Sequence, residues 1–344
     1  MTTDVMTMRV VPKEMPTRPR IFVTQPVAPS AIARLAEFAD VRVNPDALKV
    51  IDHAALCAAI ADCDILFCLL HDRIDQAVIE AAPNLRAITS MKITPSDIDI
   101  AAATARRIAV TVIPPIVTEA TADIAFALLL TVARRVLEGD RLVRQGIFPG
   151  SQSSYLEASM VTGRTLGLVG GGGRIGRAVA RRAQGFSMRV FYWGPRRLSE
   201  ADEQAAGMRY VGFDELLAES DFVSLHSPLT PETVHQLGER ELGLMKPTAF
   251  LINSSRGAIV DEKALAHALS ERRIAGAGLD VFEAEPMPTP ALLTLPNTVL
   301  TPHLGSAVAE LRERMAHVVV DNIISILHGN PPPNCCNPEV LHMA

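Results

Sequence analysis

Hydrophobic and polar positions follow two alternating patterns from Arg20 onward. Short apolar runs rich in β-branched residues predict strands, and in the first part of the chain these runs are RIFVT, DVRV, DILFCLL, LRAITSM and AVTVI. Between them lie stretches with apolar residues at helical spacing, namely SAIARLAEFA, HAALCAAIA, QAVIEAA and DIAAATARR. Strands that alternate with helices in this way predict a parallel sheet with helices on both faces.

A longer helical pattern separates two regions of this kind. It runs from Thr118 to about Gln145, with Thr118 as the expected N-cap. The alternation resumes at Thr165, where further runs predict strands: TLGLV, MRVFYW, FVSLH, AFLIN, GAGLDVF and NTVLTP. A final helix is predicted from Ser306 to about His328. The pattern therefore predicts two α/β domains built on doubly wound parallel sheets.

Composition agrees with a globular protein of about two domains. The chain has 344 residues, of which 48% are hydrophobic and 21% charged. A net charge of -5 without a dense basic run argues against a nucleic-acid partner. The longest apolar run, near Ile124 to Val132, is too short to cross a bilayer, and five cysteines do not suggest a disulfide framework. We expect a cytoplasmic protein with reduced thiols, no membrane association, and a loose extension over residues 1–18.

The sequence GLVGGGGRIG, residues 167–176, places four consecutive glycines between a predicted strand and the helical pattern RIGRAVARRAQ. Each glycine in an ordered element costs roughly 0.5–1 kcal/mol relative to alanine, so the run needs a reason. A strand, a glycine turn and a helix N-terminus form the G-x-G-x-x-G dinucleotide fingerprint, in which helix amides hold a pyrophosphate. The alternative, a flexible connection, does not require so many glycines.

Read back from the helix, the fingerprint assigns three glycines to the tight turn, the approach to the pyrophosphate and the packing of the helix. These are Gly171, Gly173 and Gly176. We expect the amides of Arg174 and Ile175 to point at the phosphates. Gly170 is left as an additional residue, for which we expect a slightly bulged turn.

The residues after MRVFYW predict a preference for NADP(H) over NAD(H). An acidic residue at the end of the second strand normally binds the ribose hydroxyls, but this chain has Gly194, Pro195, Arg196 and Arg197 there. The missing carboxylate removes repulsion against a 2′-phosphate, and the arginines supply charge-assisted donors to it. Alternatively, Arg196 and Arg197 are solvated loop residues and the site is indifferent to the phosphate.

Together, these motifs resemble the D-isomer-specific 2-hydroxyacid dehydrogenase family. The resemblance covers nearly the whole chain from about Arg20 and is sharpest between Thr118 and Ser306. The segments that carry it are TEATADIAFALLL, TLGLVGGGGRIG, DFVSLHSPLTPET, LMKPTAFLINSSRGAIVDE, AGAGLDVFEAEP and NTVLTPHLGS.

The resemblance implies a flavodoxin-like substrate domain and an inserted Rossmann dinucleotide-binding domain. The substrate domain is expected to comprise residues 1–116 and 305–344, and the dinucleotide-binding domain residues 117–304. The resemblance also implies a homodimer through the cofactor domain, to which an arm around Leu137 to Ser153 contributes.

The resemblance further implies a catalytic group of Arg256, Glu285 and His303, from the N-x-x-R-G, L-D-V-F and T-P-H motifs. Reduction of a 2-keto acid needs a cation to fix the carboxylate and polarise the ketone, and the planar fork of Arg256 suits this. As hydride arrives, the carbonyl oxygen becomes negative, and histidine is a residue type that donates protons near neutral pH. Glu285 would orient the imidazole of His303 and favour its charged form.

Other residues around the cofactor are implied by the resemblance alone, with Asp280 near the nicotinamide amide. The remaining members are His226, Ser227, Pro228, Asn253, Ser254 and Ser255. We expect no metal site, because the histidines show no metal-ligand spacing with cysteines or carboxylates.

The expected substrate-binding segment, Met91 to Ile93, departs from the family pattern. Family members usually have a V-G-x-D turn whose amides help to bind the substrate carboxylate, but this chain has MKITPS. Our hypothesis is that Lys92, or the amides beside it, faces the acid and helps to select a polar or longer substrate, together with Arg256 and His303. The alternative is that Lys92 points to solvent.

The sequence therefore predicts NADP(H)-dependent reduction of a small 2-keto acid, such as glyoxylate, hydroxypyruvate or 2-ketogluconate, to the D-2-hydroxy acid. Formate dehydrogenases of the same superfamily usually have glutamine in place of Glu285, and phosphite dehydrogenases would have their substrate-loop lysine at Ile93. The alternative from another class is an NAD(H)-sensing corepressor-like protein on the same fold. Such proteins retain the catalytic group, so these residues do not exclude them.

Overall fold

The computed structural model describes residues 18–341, which divide into two compact units. One unit contains the described residues up to Ile116 and those from Val308 onward, and the other is the continuous segment Val117–Ala307. The expected extension over residues 1–18 lies outside the described residues except for Arg18. No helix in the described part of the chain is long and apolar enough to span a membrane.

The discontinuous unit contains a five-stranded parallel sheet in the order β2-β1-β3-β4-β5. Numbered along the chain, its strands are β1 (Arg20–Val23), β2 (Asp40–Val43), β3 (Ile65–Cys68), β4 (Ala87–Ser90) and β5 (Ala109–Thr111). Its helices are α1 (Pro29–Ala36), α2 (His53–Ile60), α3 (Gln76–Ala81), α4 (Ile100–Ala105) and α12 (Ala309–Leu327). This strand order is that of flavodoxin-like folds, as expected.

Local sequence explains where three of these helices begin. Asp52, Asp75 and Asp99 each accept a hydrogen bond from a backbone amide in the first turn of α2, α3 and α4, respectively. Such N-caps satisfy a helix amide that has no intrahelical partner. The central strands β3 and β4 are buried along their whole length, as a sheet covered on both faces requires.

The continuous unit contains a seven-stranded parallel sheet in the order β12-β11-β10-β9-β6-β7-β8. Its strands are β6 (Thr165–Val169), β7 (Arg189–Trp193), β8 (Met208–Tyr210), β9 (Phe222–Leu225), β10 (Phe250–Asn253), β11 (Gly276–Leu279) and β12 (Thr298–Leu300). Its helices are α5 (Thr118–Ala133), α6 (Val136–Arg144), α7 (Arg174–Gln184), α8 (Glu200–Ala206), α9 (Phe213–Glu219), α10 (Glu239–Leu244) and α11 (Glu262–Ser270). Counted within the unit, the order is the Rossmann order 3-2-1-4-5-6 with one further strand. The predicted fold class of two doubly wound sheets is confirmed.

The structure corrects the single helix predicted from Thr118 to Gln145. The segment forms α5 and α6, which are separated at Arg135, whose φ of 54° lies in the left-handed region. The Arg135 guanidinium donates to the Glu138 carboxylate and to the Glu157 carbonyl, which holds the break in place. Thr118 is also not the N-cap, because Val117 occupies that position without a side-chain cap.

The strand β8 is absent from the sequence prediction. It has three residues and directly follows Gly207, which ends α8 with a φ of 62°. Hydrophobic alternation is not detectable over so short a segment, and only its pairing with β7 makes it a strand.

Candidate functional site

The glycine run forms a turn from Gly170 to Gly173, which we call the glycine turn, at the carboxyl end of β6. Gly170 has a φ of +78°, and a Cβ there would lie 2.6 Å from the Ser227 amide nitrogen. Its own amide donates to the Trp193 carbonyl. Gly170, left without a role by the sequence, is thus required by its conformation and by its contact with the chain after β9.

The other glycines of this segment differ in how much space there is for a Cβ atom. A Cβ at Gly171 would meet the Leu168 and Tyr192 Cβ atoms at 2.7 Å, and one at Gly176 would meet Gly171 at 2.5 Å. At Gly172 the nearest neighbour would be at 3.6 Å, which is ordinary contact. Of these three positions, Gly172 is therefore the one at which a side chain would fit without a steric clash.

The helix α7 begins directly after the glycine turn, with Gly173 as its N-cap and Arg174 as its first residue. The first amides of any helix have no intrahelical acceptor and carry the positive end of its dipole. Arg174 is exposed and Ile175 partly exposed, so the backbone at this end of the sheet is open to a ligand. Bare backbone beside a helix N-terminus is the arrangement that holds a pyrophosphate.

Residues 194–198, which we call the arginine loop, follow β7. Gly194 is buried, whereas Arg196 is exposed and makes no hydrogen bond or ion pair with another residue in the described range. The Arg197 guanidinium is engaged by the Glu203 carboxylate, with Nε to Oε1 at 2.8 Å and Nη2 to Oε2 at 3.0 Å. The two arginines predicted to act alike therefore lie in different electrostatic surroundings.

The segment after β9 faces the glycine turn through its backbone. The His226 amide donates to the Val169 carbonyl, and its Nε2 lies 3.0 Å from Ser224 Oγ. Burial lowers the pKa of His226 to about 4, so the ring is neutral at neutral pH. Ser227 is buried and Pro228 is exposed.

The segment after β10 is a compact turn. Asn253 holds it from both sides, because its Nδ2 donates to the Arg256 carbonyl and its Oδ1 accepts from the Ser255 amide. Ser255 Oγ donates to the Ser227 carbonyl, which joins this turn to the chain after β9. Ser254 Oγ is buried and has no hydrogen-bond partner within residues 18–341. A buried hydroxyl without a partner is costly, so it indicates a position that a ligand completes.

Arg256 follows this turn and is partly buried. Burial lowers the pKa of its guanidinium, and the nearby Glu285 carboxylate acts in the opposite direction. A Cβ on the next residue, Gly257, would lie 1.8 Å from the Phe282 carbonyl carbon, so only glycine fits there. This contact fixes the backbone beside Arg256 against the segment that carries Glu285.

His303 and Glu285 form a direct pair. His303 Nδ1 lies 3.0 Å from Glu285 Oε2 and 3.2 Å from Oε1, so the carboxylate orients the ring through this nitrogen. Both side chains are partly exposed, at 29% and 21%. Arg256, Glu285 and His303, here called the histidine cluster, thus combine a cation, an imidazole and the carboxylate that orients it, and imidazole is a common proton-transfer group.

Asp280 organises the loop that carries His303. Its Oδ1 accepts from Thr301 Oγ1 at 2.6 Å and the Leu304 amide at 2.7 Å, and its Oδ2 accepts from the Gly305 amide at 2.9 Å. The His303 amide donates to the Asp280 carbonyl, and His303 has a φ of 54°. The pKa of Asp280 is raised by burial, which these hydrogen bonds oppose. Sequence reasoning assigned Asp280 only to the nicotinamide and missed this role.

A second carboxylate that the sequence analysis missed holds the loop on both sides of Glu285. Glu262, the first residue of α11, is buried, and its carboxylate accepts from the Glu283 amide at 2.6 Å and the Thr289 amide at 3.0 Å. On the same loop, Glu283 pairs with His235 at 2.7 Å. No motif spacing identifies these contacts, because Glu262 and Thr289 are far apart in sequence.

The expected substrate segment lies in the other unit, at the carboxyl end of β4. Met91 is buried and its amide donates to the Cys68 carbonyl, and the Lys92 amide donates to Ser90 Oγ. The Lys92 ammonium pairs with Asp97, and its side chain is only 12% exposed. The interpretation in which Lys92 points to solvent is therefore wrong. Ile93 is partly buried.

Comparisons with known proteins agree with this arrangement. The family model of the D-isomer-specific 2-hydroxyacid dehydrogenase NAD-binding domain matches residues 126–305. The glyoxylate reductase of Thermococcus litoralis is 46% identical over 328 residues, covering 94% of this chain and 98% of that protein. The glyoxylate reductase of Korarchaeum cryptofilum is 48% identical over 330 residues, covering 94% and 97%.

A solved structure is also similar over most of the chain. It is that of an NADPH-dependent glyoxylate/hydroxypyruvate reductase from Sinorhizobium meliloti in complex with NADP and malonate. It is 32% identical, with a TM-score of 0.76, and covers 92% of this chain and 96% of that chain.

Proposed function

The chain belongs to the D-isomer-specific 2-hydroxyacid dehydrogenase family and is an NAD(P)-dependent oxidoreductase, and from this premise we propose that it reduces a small 2-keto acid with NADPH. The expected substrates are of the glyoxylate, hydroxypyruvate or 2-ketogluconate class, and the product is the D-2-hydroxy acid. The observation that carries this proposal is the pairing of His303 with Glu285 in the unit that contains the glycine turn.

The residues at the carboxyl end of the seven-stranded sheet fit a dinucleotide. Gly170 to Gly173 clear the space before α7, and the amides of Arg174 and Ile175 supply donors for a pyrophosphate. The unpartnered hydroxyl of Ser254 and the neighbouring Ser255 lie after β10, where the nicotinamide end is expected.

Each member of the histidine cluster has a separate task in this proposal. A bound nicotinamide cofactor supplies the hydride. Arg256 binds the substrate carboxylate and polarises the carbonyl group through its guanidinium fork. His303 donates a proton from Nε2 to the carbonyl oxygen as charge develops there. Glu285 accepts the hydrogen bond from Nδ1 and stabilises the positive charge on the ring.

Two observations support NADP(H) over NAD(H). The arginine loop contains no carboxylate of its own that would bind ribose hydroxyls or repel a 2′-phosphate. Arg196 is exposed and free of protein partners within the described residues, so its guanidinium can meet the phosphate.

The test is turnover on a panel of keto acids with both cofactors. Loss of NADPH absorbance is measured with glyoxylate, hydroxypyruvate and 2-ketogluconate, and the series is repeated with NADH. We expect turnover on at least one acid and a higher kcat/KM with NADPH. Cofactor binding without turnover on any acid would favour the NAD(H)-sensing alternative, and a preference for NADH would contradict the cofactor proposal.

We further propose that Lys92 contributes to substrate selection. Its ammonium is mostly shielded from solvent and balanced by Asp97, at the end of the strand where the resemblance puts the substrate carboxylate. Replacement of Lys92 by Met should raise the KM of the preferred acid without changing the KM of NADPH. An unchanged substrate KM would reject this role.

A homodimer through the cofactor domain is the expected assembly. The arm from Leu137 to Ser153 exposes large apolar side chains, among them Phe148 at 78% and Ile147 at 45%. Contiguous exposed apolar side chains mark an interaction surface. Light scattering should give the mass of a dimer for the wild type and a lower mass for Phe148→Asp. The matched control is Leu48→Asp, because Leu48 is exposed but lies outside the arm.

A further inference from the structure

A buried glutamate outside the histidine cluster supports the arginine loop. Glu203 lies in α8 and is 7% exposed, although no sequence motif marks it. Its Oε1 accepts from Tyr192 OH at 2.7 Å and from Arg197 Nε, and its Oε2 accepts from Arg197 Nη2. Tyr192 OH in turn accepts from the Leu198 amide at 2.8 Å. The carboxylate therefore connects the core of the sheet with both the side chain and the backbone of the loop.

Further contacts hold the same loop from β8. The Arg197 guanidinium lies over the Tyr210 ring, 5.7 Å from its centroid, and Tyr210 OH donates to the Gly194 carbonyl at 3.3 Å. Tyr192 itself is fully buried and packs edge-on against Tyr210. A bidentate guanidinium–carboxylate pair supported by two buried or half-buried rings has a defined geometry.

This network separates the tasks of the two arginines. The charge of Arg197 is balanced by Glu203 at hydrogen-bond distance, so Arg197 adds little positive potential for a ligand. Arg196 is next to it, is exposed, and has no partner among the residues described. The loop thus presents one uncompensated guanidinium on a backbone that the other arginine holds.

We propose that Glu203 is a positioning residue for the cofactor, which acts through Arg197 and Tyr192 to hold the arginine loop so that Arg196 alone recognises the 2′-phosphate. This inference rests on the proposed preference for NADP(H). It differs from the simpler view in which both arginines bind the phosphate, because it assigns Arg197 to the protein and not to the ligand.

Ligand binding can be followed without turnover. Trp193 is the single tryptophan of the chain, directly precedes the arginine loop and packs on Phe213 at 4.7 Å between ring centroids. Its fluorescence can report the binding of 2′,5′-ADP and of 5′-AMP, which differ only in the 2′-phosphate. The ratio of the two dissociation constants measures phosphate recognition by itself.

Two variants test whether Arg196 alone binds the 2′-phosphate, and one of them, Glu203→Gln, should give the opposite result if Arg197 binds it. Arg196→Ala should lower the affinity for 2′,5′-ADP about 10-fold or more, as for a lost charge-assisted hydrogen bond, and leave 5′-AMP nearly unchanged. Glu203→Gln releases the Arg197 charge but loosens the loop, so we expect several-fold weaker binding of 2′,5′-ADP. If Arg197 bound the phosphate itself, Glu203→Gln would strengthen 2′,5′-ADP binding, and that result would overturn the inference.

A double-variant cycle and a matched control complete the experiment. If Arg197 acts through Glu203, Arg197→Ala combined with Glu203→Ala should weaken 2′,5′-ADP binding no more than either single change. Additive losses would contradict the inference. The control is Asp202→Asn, which removes an exposed charge from the same helix, where the carboxylate contacts Ser199 and not Arg197, and it should leave the ratio unchanged. Should the wild type fail to distinguish the two nucleotides, the NADP(H) preference itself fails, which is a separate outcome.

Discussion

The histidine cluster and the arginine loop both pair a glutamate with a cationic side chain, but the pairs differ in what they can do. Glu285 holds His303, a residue that can release and regain a proton, and both side chains are partly exposed. Glu203 holds Arg197, which stays charged at any working pH, and the carboxylate is nearly buried. One carboxylate therefore holds a side chain that can exchange a proton, whereas the other holds a side chain that cannot.

A pair of a glutamate and a cationic side chain is therefore not by itself a sign of function. What the pair can do depends on whether the cationic group can lose its proton. His303 contacts Glu285 through Nδ1, while the Arg197 guanidinium contacts Glu203 through two of its nitrogens. Changes at the histidine cluster should appear in turnover, and changes at the arginine loop in cofactor selection.

The strongest test of this contrast is the removal of the proton donor. His303→Gln should lower kcat by about 10²–10⁴-fold, because general acid catalysis contributes on that order. NADPH affinity, measured by Trp193 fluorescence, should stay within a factor of about two. If the variant kept the kcat of the wild type, His303 would not be the proton donor, and the contrast between the two glutamate pairs would not hold.

Replacement of the orienting carboxylate should lower turnover less than removal of the proton donor. In Glu285→Gln the neutral amide orients the imidazole less firmly than the carboxylate does, so we expect kcat to fall about 10-fold while the KM of NADPH stays unchanged. The matched control is Glu283→Gln, since Glu283 also pairs with a histidine, His235, on the same loop. An identical fall of kcat in both variants would mean that the effect is not specific to His303.

The glycine turn belongs to the expected cofactor site, and its contribution to that site is steric. Substitutions in this turn should therefore change the stability of the protein according to the space at each position. Gly170→Ala should destabilise the protein by about 1–3 kcal/mol from backbone strain alone, and overlap with the chain after β9 adds to this. Gly172→Ala should change the free energy of unfolding by less than about 1 kcal/mol, since its Cβ has room. Urea unfolding of both variants measures the difference, and equal losses would refute the assignment of Gly172 as the dispensable glycine.

The smallest expected effect is the pH response of the Arg197–Glu203 pair. Arg197 and Tyr192 hold the pKa of Glu203 at about 2, well below its ordinary value. Because the folded-state pKa is depressed, the stabilisation is fully present above the unfolded pKa and is lost as pH falls towards 2. The melting-temperature difference between wild type and Glu203→Gln should therefore be constant from pH 8 to 5 and shrink below about pH 4. A change in that difference near neutral pH would contradict the assigned pairing.

Several features of the site could be predicted because they are local. The G-x-G-x-x-G spacing and the strand before it place the dinucleotide turn, and the order of the N-x-x-R-G, L-D-V-F and T-P-H motifs singles out Arg256, Glu285 and His303. The structure brings Glu285 and His303 into contact although 18 residues separate them. By contrast, the break at Arg135 and the short β8 escaped prediction, since each depends on partners that the local pattern does not contain.

The amino-acid sequence by itself determined the alternation of strands and helices, the family, and the residue types available for hydride-transfer chemistry. Periodicity and motif spacing carry this information because they act within one or two turns of chain. Only the tertiary structure decided that Gly170 is indispensable, that Asp280 and Glu262 hold the loops around His303, and that Arg197 is paired while Arg196 is not. These outcomes depend on steric contact and charge compensation between segments that are remote in sequence, which no local pattern encodes.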